Sequence, residues 1–123
     1  MSFWQAKTKV RRADILWSKY IRELKNWKCE RCLKDCSNNH HNLTVSHYKG
    51  RRYESVRFDE ENCDVLCRSC HEWAEKHKKT EYTDWKIERM GERAFNLLLV
   101  RANQKGKKDD ELVKLYIKNA NKH

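Results

Sequence analysis

The chain contains no proline and only three glycines, so little interrupts its helices. Apolar residues are also scarce: at 38% of 123 positions they fill only a modest core, and something besides packing must help hold the fold. No apolar run is long enough for a helical membrane span. The opening MSFWQAKTKVRRADILW lacks the succession of basic, apolar and small-residue regions that marks a secretory leader, so an intracellular address is expected. In that reducing setting cysteines are more often metal ligands than disulfides. Neither an internal repeat nor a low-complexity linker divides the chain, and one domain is expected.

What is abundant is positive charge, 28 Lys+Arg against 18 Asp+Glu for a net +10. A polyanion is the natural partner of such a surplus, because each neutralised phosphate releases counterions. For any single lysine, a merely solvating role is the competing reading. Residues 1–28 hold eight cations and two anions, and residues 76–123 hold thirteen and seven. The segment 29–75 between them is slightly acidic, with seven against nine. If chemistry sits in the middle, the flanks are electrostatic arms that hold a phosphate backbone over it.

The flanks read as helices. Val10, Ala13, Trp17, Tyr20, Ile21 and Leu24 recur at spacings of three and four and lie along one face. A second helix is expected to start near Asp84, a good N-cap, and to run through Ile87, Met90, Ala94, Leu97, Leu98 and Ala102. After the break at NQKGKKDDE, Asp109, Asp110 and Glu111 open a last helix with Leu112, Val113, Tyr116, Ile117 and Ala120, closed by Lys118 and Lys122. Between the flanks, LTVSHY (43–48) and CDVLC (63–67) are short and β-leaning, separated by a polar, arginine-rich loop. The expected division is a basic N-terminal helix over 1–28, a stapled core over 29–80 and a helical arm over 81–123.

Six cysteines supply the missing cohesion. Cys29 and Cys32 form one Cys-x-x-Cys knuckle and Cys67 and Cys70 another, which together complete the four-thiolate shell of a tetrahedral zinc. A closed shell leaves no open coordination position, so this zinc is structural. Cys36 and Cys63 each lie four residues from a knuckle cysteine; a swapped ligand set is conceivable, but the spacing reads them as free thiols. Disulfides or unconnected buried cysteines are the competing reading of the whole set.

The staple turns residues 33–66 into a closed excursion and starts a helix at CHEWAEKHKK. His71 projects from the first turn of that helix, and Glu75 follows one turn later on the same face, a competent partner ligand. His47 ends the first short strand and Asn62 opens the second, which gives His, Asn and His in order on strand, strand and helix. His40 and His41 point opposite ways and are expected in solvent, His77 is off the His71 face, and His123 is expected at a frayed end.

The run SHYKGRRYESVRFDEENCDVLCRSCHEW resembles the HNH endonuclease motif on a zinc-stapled ββα-metal finger. More narrowly, Ser46-His47, Gly50-Arg51-Arg52, VRFD at 56–59, Asn62 and LCRSCH at 66–71 are similar to the phage lambda NinG (Rap) group of recombination nucleases. The likeness extends loosely to YIRELKNWKCERC and the helical tail. The resemblance implies an α+β fold, with the finger flanked by N- and C-terminal helices. It implies metal-dependent hydrolysis of DNA phosphodiesters, preferring branched DNA such as Holliday junctions or D-loops, by a phage or prophage product.

Within that resemblance His47 is the general base, since an imidazole that titrates near neutrality can deprotonate water. His71 holds a catalytic cation, Mg2+ or Mn2+, although an imidazole also suits zinc or nickel; Glu75 supplements it. Asn62 fixes the loop presenting His47, by family analogy. Many relatives of the wider motif place a metal-binding Asp before the base, whereas this chain has Ser46, as the narrower group does. Arg51, Arg52 and Arg57 are expected to grip phosphate, with a salt bridge to Asp59, Glu60 or Glu61 as the alternative for each. Symmetric junction cutting would need two sites, which suggests a homodimer through the terminal helices. Alternatives are an HNH nuclease of restriction, nicking or homing type, and a non-catalytic zinc-stapled DNA-binding module.

Overall fold

A computed structural model describes residues 9–120; residues 1–8 of the expected N-terminal unit, Lys122 and His123 lie outside the described residues. The elements are α1 (Arg12–Leu24), β1 (Leu43–His47), β2 (Cys63–Cys67), α2 (Arg68–Lys76), α3 (Glu81–Met90), α4 (Glu92–Ala102) and α5 (Asp110–Ala120). Single 3-10 turns occupy His40–Asn42, Glu54–Val56 and Glu60–Asn62. The described residues are therefore α+β, with one two-stranded sheet among them.

In α1 the apolar stripe buries Ala13, Trp17, Tyr20 and Ile21, while its outer members Val10 and Leu24 remain half-exposed. The strands pair antiparallel from Leu43 opposite Cys67 to His47 opposite Cys63. An isolated hairpin is marginal in water, but here both α1 and α2 pack against it and all five residues of β2 are buried.

The helix expected from Asp84 to Ala102 is two helices. Gly91 adopts φ 86° and ψ 149°, a backbone conformation open essentially to glycine alone, and ends α3 one residue before α4 begins. The first of the two starts at Glu81, ahead of Asp84. The kink changes which side chains are covered: Tyr82, Lys86, Phe95, Leu98 and Ala102 are buried, whereas Leu97 is half-exposed.

At the last helix Asp109 accepts the Glu111 amide at 2.7 Å, as the acidic run anticipates. α5 packs on α1 and buries Val113, leaving Leu112, Leu115 and Tyr116 largely exposed. Phe95 of α4 and Val113 of α5 join the same buried cluster as Trp17 and Leu66, so the described C-terminal helices share the core and do not form a detached arm. Among the described residues, no helix is long and apolar enough to cross a membrane.

Gly91→Ala should destabilise the chain by about 1–3 kcal/mol, because the backbone, not the space around it, forbids a side chain there. Urea unfolding would measure it against Gly50→Ala, whose added carbon meets nothing within 4 Å and whose backbone is unstrained.

Candidate functional site

The sulfurs of Cys29, Cys32, Cys67 and Cys70 all lie within 4.8 Å of one another. Cys32 and Cys67 are 3.7 Å apart, close to the edge of about 3.8 Å that a tetrahedron with zinc–sulfur bonds of about 2.3 Å requires. The set is the one the knuckle spacing predicts and is compatible with a structural zinc. Local structure prepares it. Leu33 takes a left-handed conformation (φ 67°) that turns the first knuckle, and its amide bonds the Cys29 carbonyl at 2.9 Å.

The second knuckle sits at the N-terminus of α2, where unpaired amides favour anionic sulfur. Burial pushes the Cys67 thiol up, but hydrogen bonds from Ser69 and the Cys70 amide outweigh it and pull the thiol below its ordinary range. The first knuckle is docked by side chains as well: Glu30 accepts the Val65 amide at 3.1 Å and pairs with Arg89 at 2.5 Å, and the Arg31 guanidinium lies 3.7 Å above the Trp73 ring. Cys36 and Cys63 are buried outside the cluster. The Cys63 sulfur accepts the Trp17 indole N–H at 3.3 Å, and burial raises its thiol pKa.

At the far end of the hairpin, His47 places Nε2 3.0 Å from the Arg57 carbonyl. A carbonyl only accepts, so Nε2 carries the proton and donates it. Burial, with the Arg51 charge adding to it, lowers the His47 pKa to about 4, so the ring is neutral at pH 7 and Nδ1 is left as the acceptor. Among the described residues nothing hydrogen-bonds that nitrogen.

Fully buried Asn62 laces the intervening loop. Its amide N–H groups donate to the Lys49 and Val56 carbonyls at 2.8 and 3.0 Å, and its Oδ1 accepts the Lys49 amide at 2.8 Å. Its own carbonyl accepts the Tyr48 amide at 2.9 Å. The loop's acids are engaged by distant helices: Arg101 of α4 pairs with Asp59 and Glu61, and Tyr20 of α1 and Tyr116 of α5 both donate to Glu60.

On α2, His71 and Glu75 stand side by side, Nε2 to Oε1 3.6 Å. The other ring nitrogen of His71, Nδ1, is buried with no hydrogen-bond partner among the described residues. The nitrogen that faces Glu75 is Nε2, and that nitrogen with the carboxylate is a fitting pair of donors for a divalent cation; the buried Nδ1 lies on the other edge of the ring and takes no part in the pair. The end of α2 lies beside the loop after His47. Burial lowers the Lys78 pKa there, and its charge senses Glu75 as well as Lys49 and Arg52. Ser46 is elsewhere engaged: it is buried and its hydroxyl meets Tyr82 Oη at 3.3 Å, in a chain that continues to Asp64 (2.6 Å) and Lys86 (3.0 Å). His40 and His41 are exposed, His40 stacking on Trp27 at 3.6 Å, and His77 ends α2 3.8 Å from Glu81.

The three arginines differ. Arg52 is exposed over the Tyr53 ring, and Arg51 is about one-third exposed, 3.9 Å from Asp14. Arg57 corrects the expectation of a phosphate grip: it is 2% exposed and each of its three nitrogens donates inside the protein. Nε and Nη2 fork onto Asp14 at 2.9 and 2.6 Å, Nη1 meets Glu54 at 3.0 Å, and Nη2 also reaches the Lys9 carbonyl at 2.8 Å. Its partners are Asp14 and Glu54, not Asp59, Glu60 or Glu61. Asp14, buried on α1, is the residue that sequence reasoning missed; only its place in the first helical turn, where its carboxylate accepts the Arg11 amide at 2.6 Å, hinted at a role.

Compared with known proteins, the chain matches no family model, no curated protein and no solved structure.

Cys67→Ser should lose the bound metal and the cooperative fold together, since sites of this kind hold their structure through the metal; zinc content and circular dichroism would show it. A second expectation concerns His47. With a folded pKa of about 4 against about 6.5 unfolded, the unfolded chain takes up this proton first as pH falls, so His47 contributes stability above pH 6.5 that is lost between there and about 4. Its ring resonances should titrate near pH 4 in the folded chain.

Proposed function

We propose that the protein is a metal-dependent DNA endonuclease of HNH type, with His47 as general base, acting on branched recombination intermediates. The observation that carries this reading is the hydrogen bond from His47 to the Arg57 carbonyl. It supports the reading because a neutral imidazole tied down at Nε2 presents a lone pair at Nδ1, which is what deprotonation of a water requires. Asn62 holds the loop that bears the carbonyl, and His71 Nε2, 3.6 Å from a Glu75 carboxylate oxygen, offers with it a place for Mg2+ or Mn2+. A divalent ion there supplies positive charge to the scissile phosphate and its leaving oxygen. Arg52, exposed, and Arg51, partly so, would hold the flanking backbone, and their access to solvent supports that role. The preference for branched DNA rests on the resemblance to the NinG group alone, as does a homodimer.

One observation favours a second reading, a zinc-stapled DNA-binding module. With Ser46 engaged by Tyr82, the protein offers a catalytic cation two side chains, His71 and Glu75. Purified protein incubated with Mg2+ or Mn2+ and a four-way junction, a linear duplex or supercoiled plasmid separates the readings. Cutting of the junction alone supports the first, cutting of all three points to another HNH habit, and no cutting leaves the binder.

His47→Ala should abolish cleavage with zinc content and DNA affinity near wild type, and loss of zinc would show His47 to be structural. Arg52→Ala should weaken DNA binding with the salt slope reduced by about one, whereas a phosphate contact is not the expected role of Arg57.

A further inference from the structure

We infer that Asp14, on the N-terminal helix and outside the finger, is a positioning residue for His47, acting through the side chain of Arg57. The inference rests on the reading of His47 as a base, and goes beyond it by placing control of that base in α1. The carbonyl that receives His47 Nε2–H belongs to Arg57, so the imidazole is only as well aimed as the Arg57 backbone. That backbone sits in a loop between strands with no ladder to hold it; its own amide makes one bond, to the Glu54 carbonyl at 3.3 Å, and two side-chain anchors flank it. On one side, Asn62 Nδ2 holds the Val56 carbonyl at 3.0 Å. On the other, the Arg57 guanidinium is fixed by a two-point fork onto Asp14, at 2.9 and 2.6 Å, with Glu54 and the Lys9 carbonyl each accepting a further N–H. A fork defines orientation as well as distance, which a single contact does not.

Asp14 is itself immobilised. It is 5% exposed and accepts the Arg11 amide at 2.6 Å, so its carboxylate is set by the first turn of α1. Burial works against its charge, but the Arg57 fork and the Arg11 amide win and keep the carboxylate ionised. The chain of contacts thus runs from helix α1 through carboxylate, guanidinium and peptide carbonyl to the Nε2 proton, and ends by selecting the tautomer that leaves Nδ1 free. Loosening it lets the proton move to Nδ1, where the ring no longer accepts from water.

The test uses the full-length, zinc-loaded protein. Long-range 1H–15N correlation of the imidazole reads the tautomer of His47, and cleavage of a four-way junction with Mn2+ reads kcat and KM. Wild type is expected to show one neutral tautomer with the proton on Nε2. Asp14→Asn, which keeps shape but loses half the fork, should show both tautomers and a kcat lower by about 10- to 100-fold, with KM and zinc content unchanged. Should that variant fail to fold, Asp14→Leu combined with Arg57→Met replaces the buried pair by apolar volume, which buried ion pairs commonly tolerate, and the same result is expected. A folded variant that keeps the single Nε2–H tautomer, or keeps wild-type kcat, overturns the inference. If wild type cuts no DNA, the nuclease reading falls by itself, and the tautomer measurement still decides whether Asp14 governs the ring.

Discussion

Four sulfurs packed within 4.8 Å, drawn from segments 35 positions apart, do not assemble through the attraction of thiols for one another. A divalent cation that prefers thiolates would make the arrangement favourable, and coordination would then meet the cost of closing the chain between the knuckles instead of a large core. The rest of the fold is organised around that closure. It fixes where β2 ends and α2 begins, so the direction of the helix bearing His71 and Glu75 is set by the knuckle from which it starts. It also delivers the hairpin as a finished unit on which α1 can pack. Glu30 and Arg31 dock the first knuckle, so the turn that would receive a metal is already held at its rim.

A second layer of constraint is polar, and it explains how a chain with so many charges keeps an ordered interior. Cations of the flanks are engaged internally: Arg11 with Glu54 and Arg101 with Asp59 and Glu61 on the loop between the strands, Arg11 also with Asp110 of α5, and Lys86 with Asp64 of β2. The exposed pairs among these add little stability individually. The buried ones, Arg57 with Asp14 and Lys86 with Asp64, are different in kind: removing one partner leaves a charge stranded away from water, so they favour one arrangement of the loop over its near neighbours more than they raise the total stability. The flanks are therefore not simply arms for a polyanion; part of their charge is structural.

That division decides what could be read from the sequence. Knuckle spacing is a local pattern with one geometric meaning, so the cysteine set was legible, and so were the hairpin and the stripe of Trp17 and Ile21, which follow from short periodicities. Three features were not legible. Gly91 breaks a helix that its neighbours would otherwise continue, and a lone glycine inside an apolar repeat gives no sign of which backbone conformation it takes. Lys86 is buried although its residue type favours solvent, because its partner Asp64 arrives from a strand 22 positions away. Arg57 reads as one of three similar arginines until Asp14, 43 positions upstream, claims it. In each case the deciding partner or dihedral lies outside any local window.

The remaining tension is between the burial of His47 and the task proposed for it. A base works best when its pKa lies near the working pH, and a value of about 4 makes the imidazole reliably neutral but a weak acceptor. The causes of the shift suggest how the balance changes on binding. Burial contributes most, and the nearby cation Arg51 lowers the pKa further, as Arg57 does to a lesser extent, while Asp14 and the hydrogen bond to the carbonyl oppose them. A phosphate diester seated against Arg51 brings negative charge to the place where positive charge depresses the ring, and so moves the pKa back toward neutrality. Arg57 cannot be neutralised this way, because Asp14 and Glu54 already are its counter-ions. Were His47 the proposed base, the free protein would hold it unprotonated and DNA reaching Arg51 would strengthen it, which would couple the chemistry to correct placement of the backbone without any moving part.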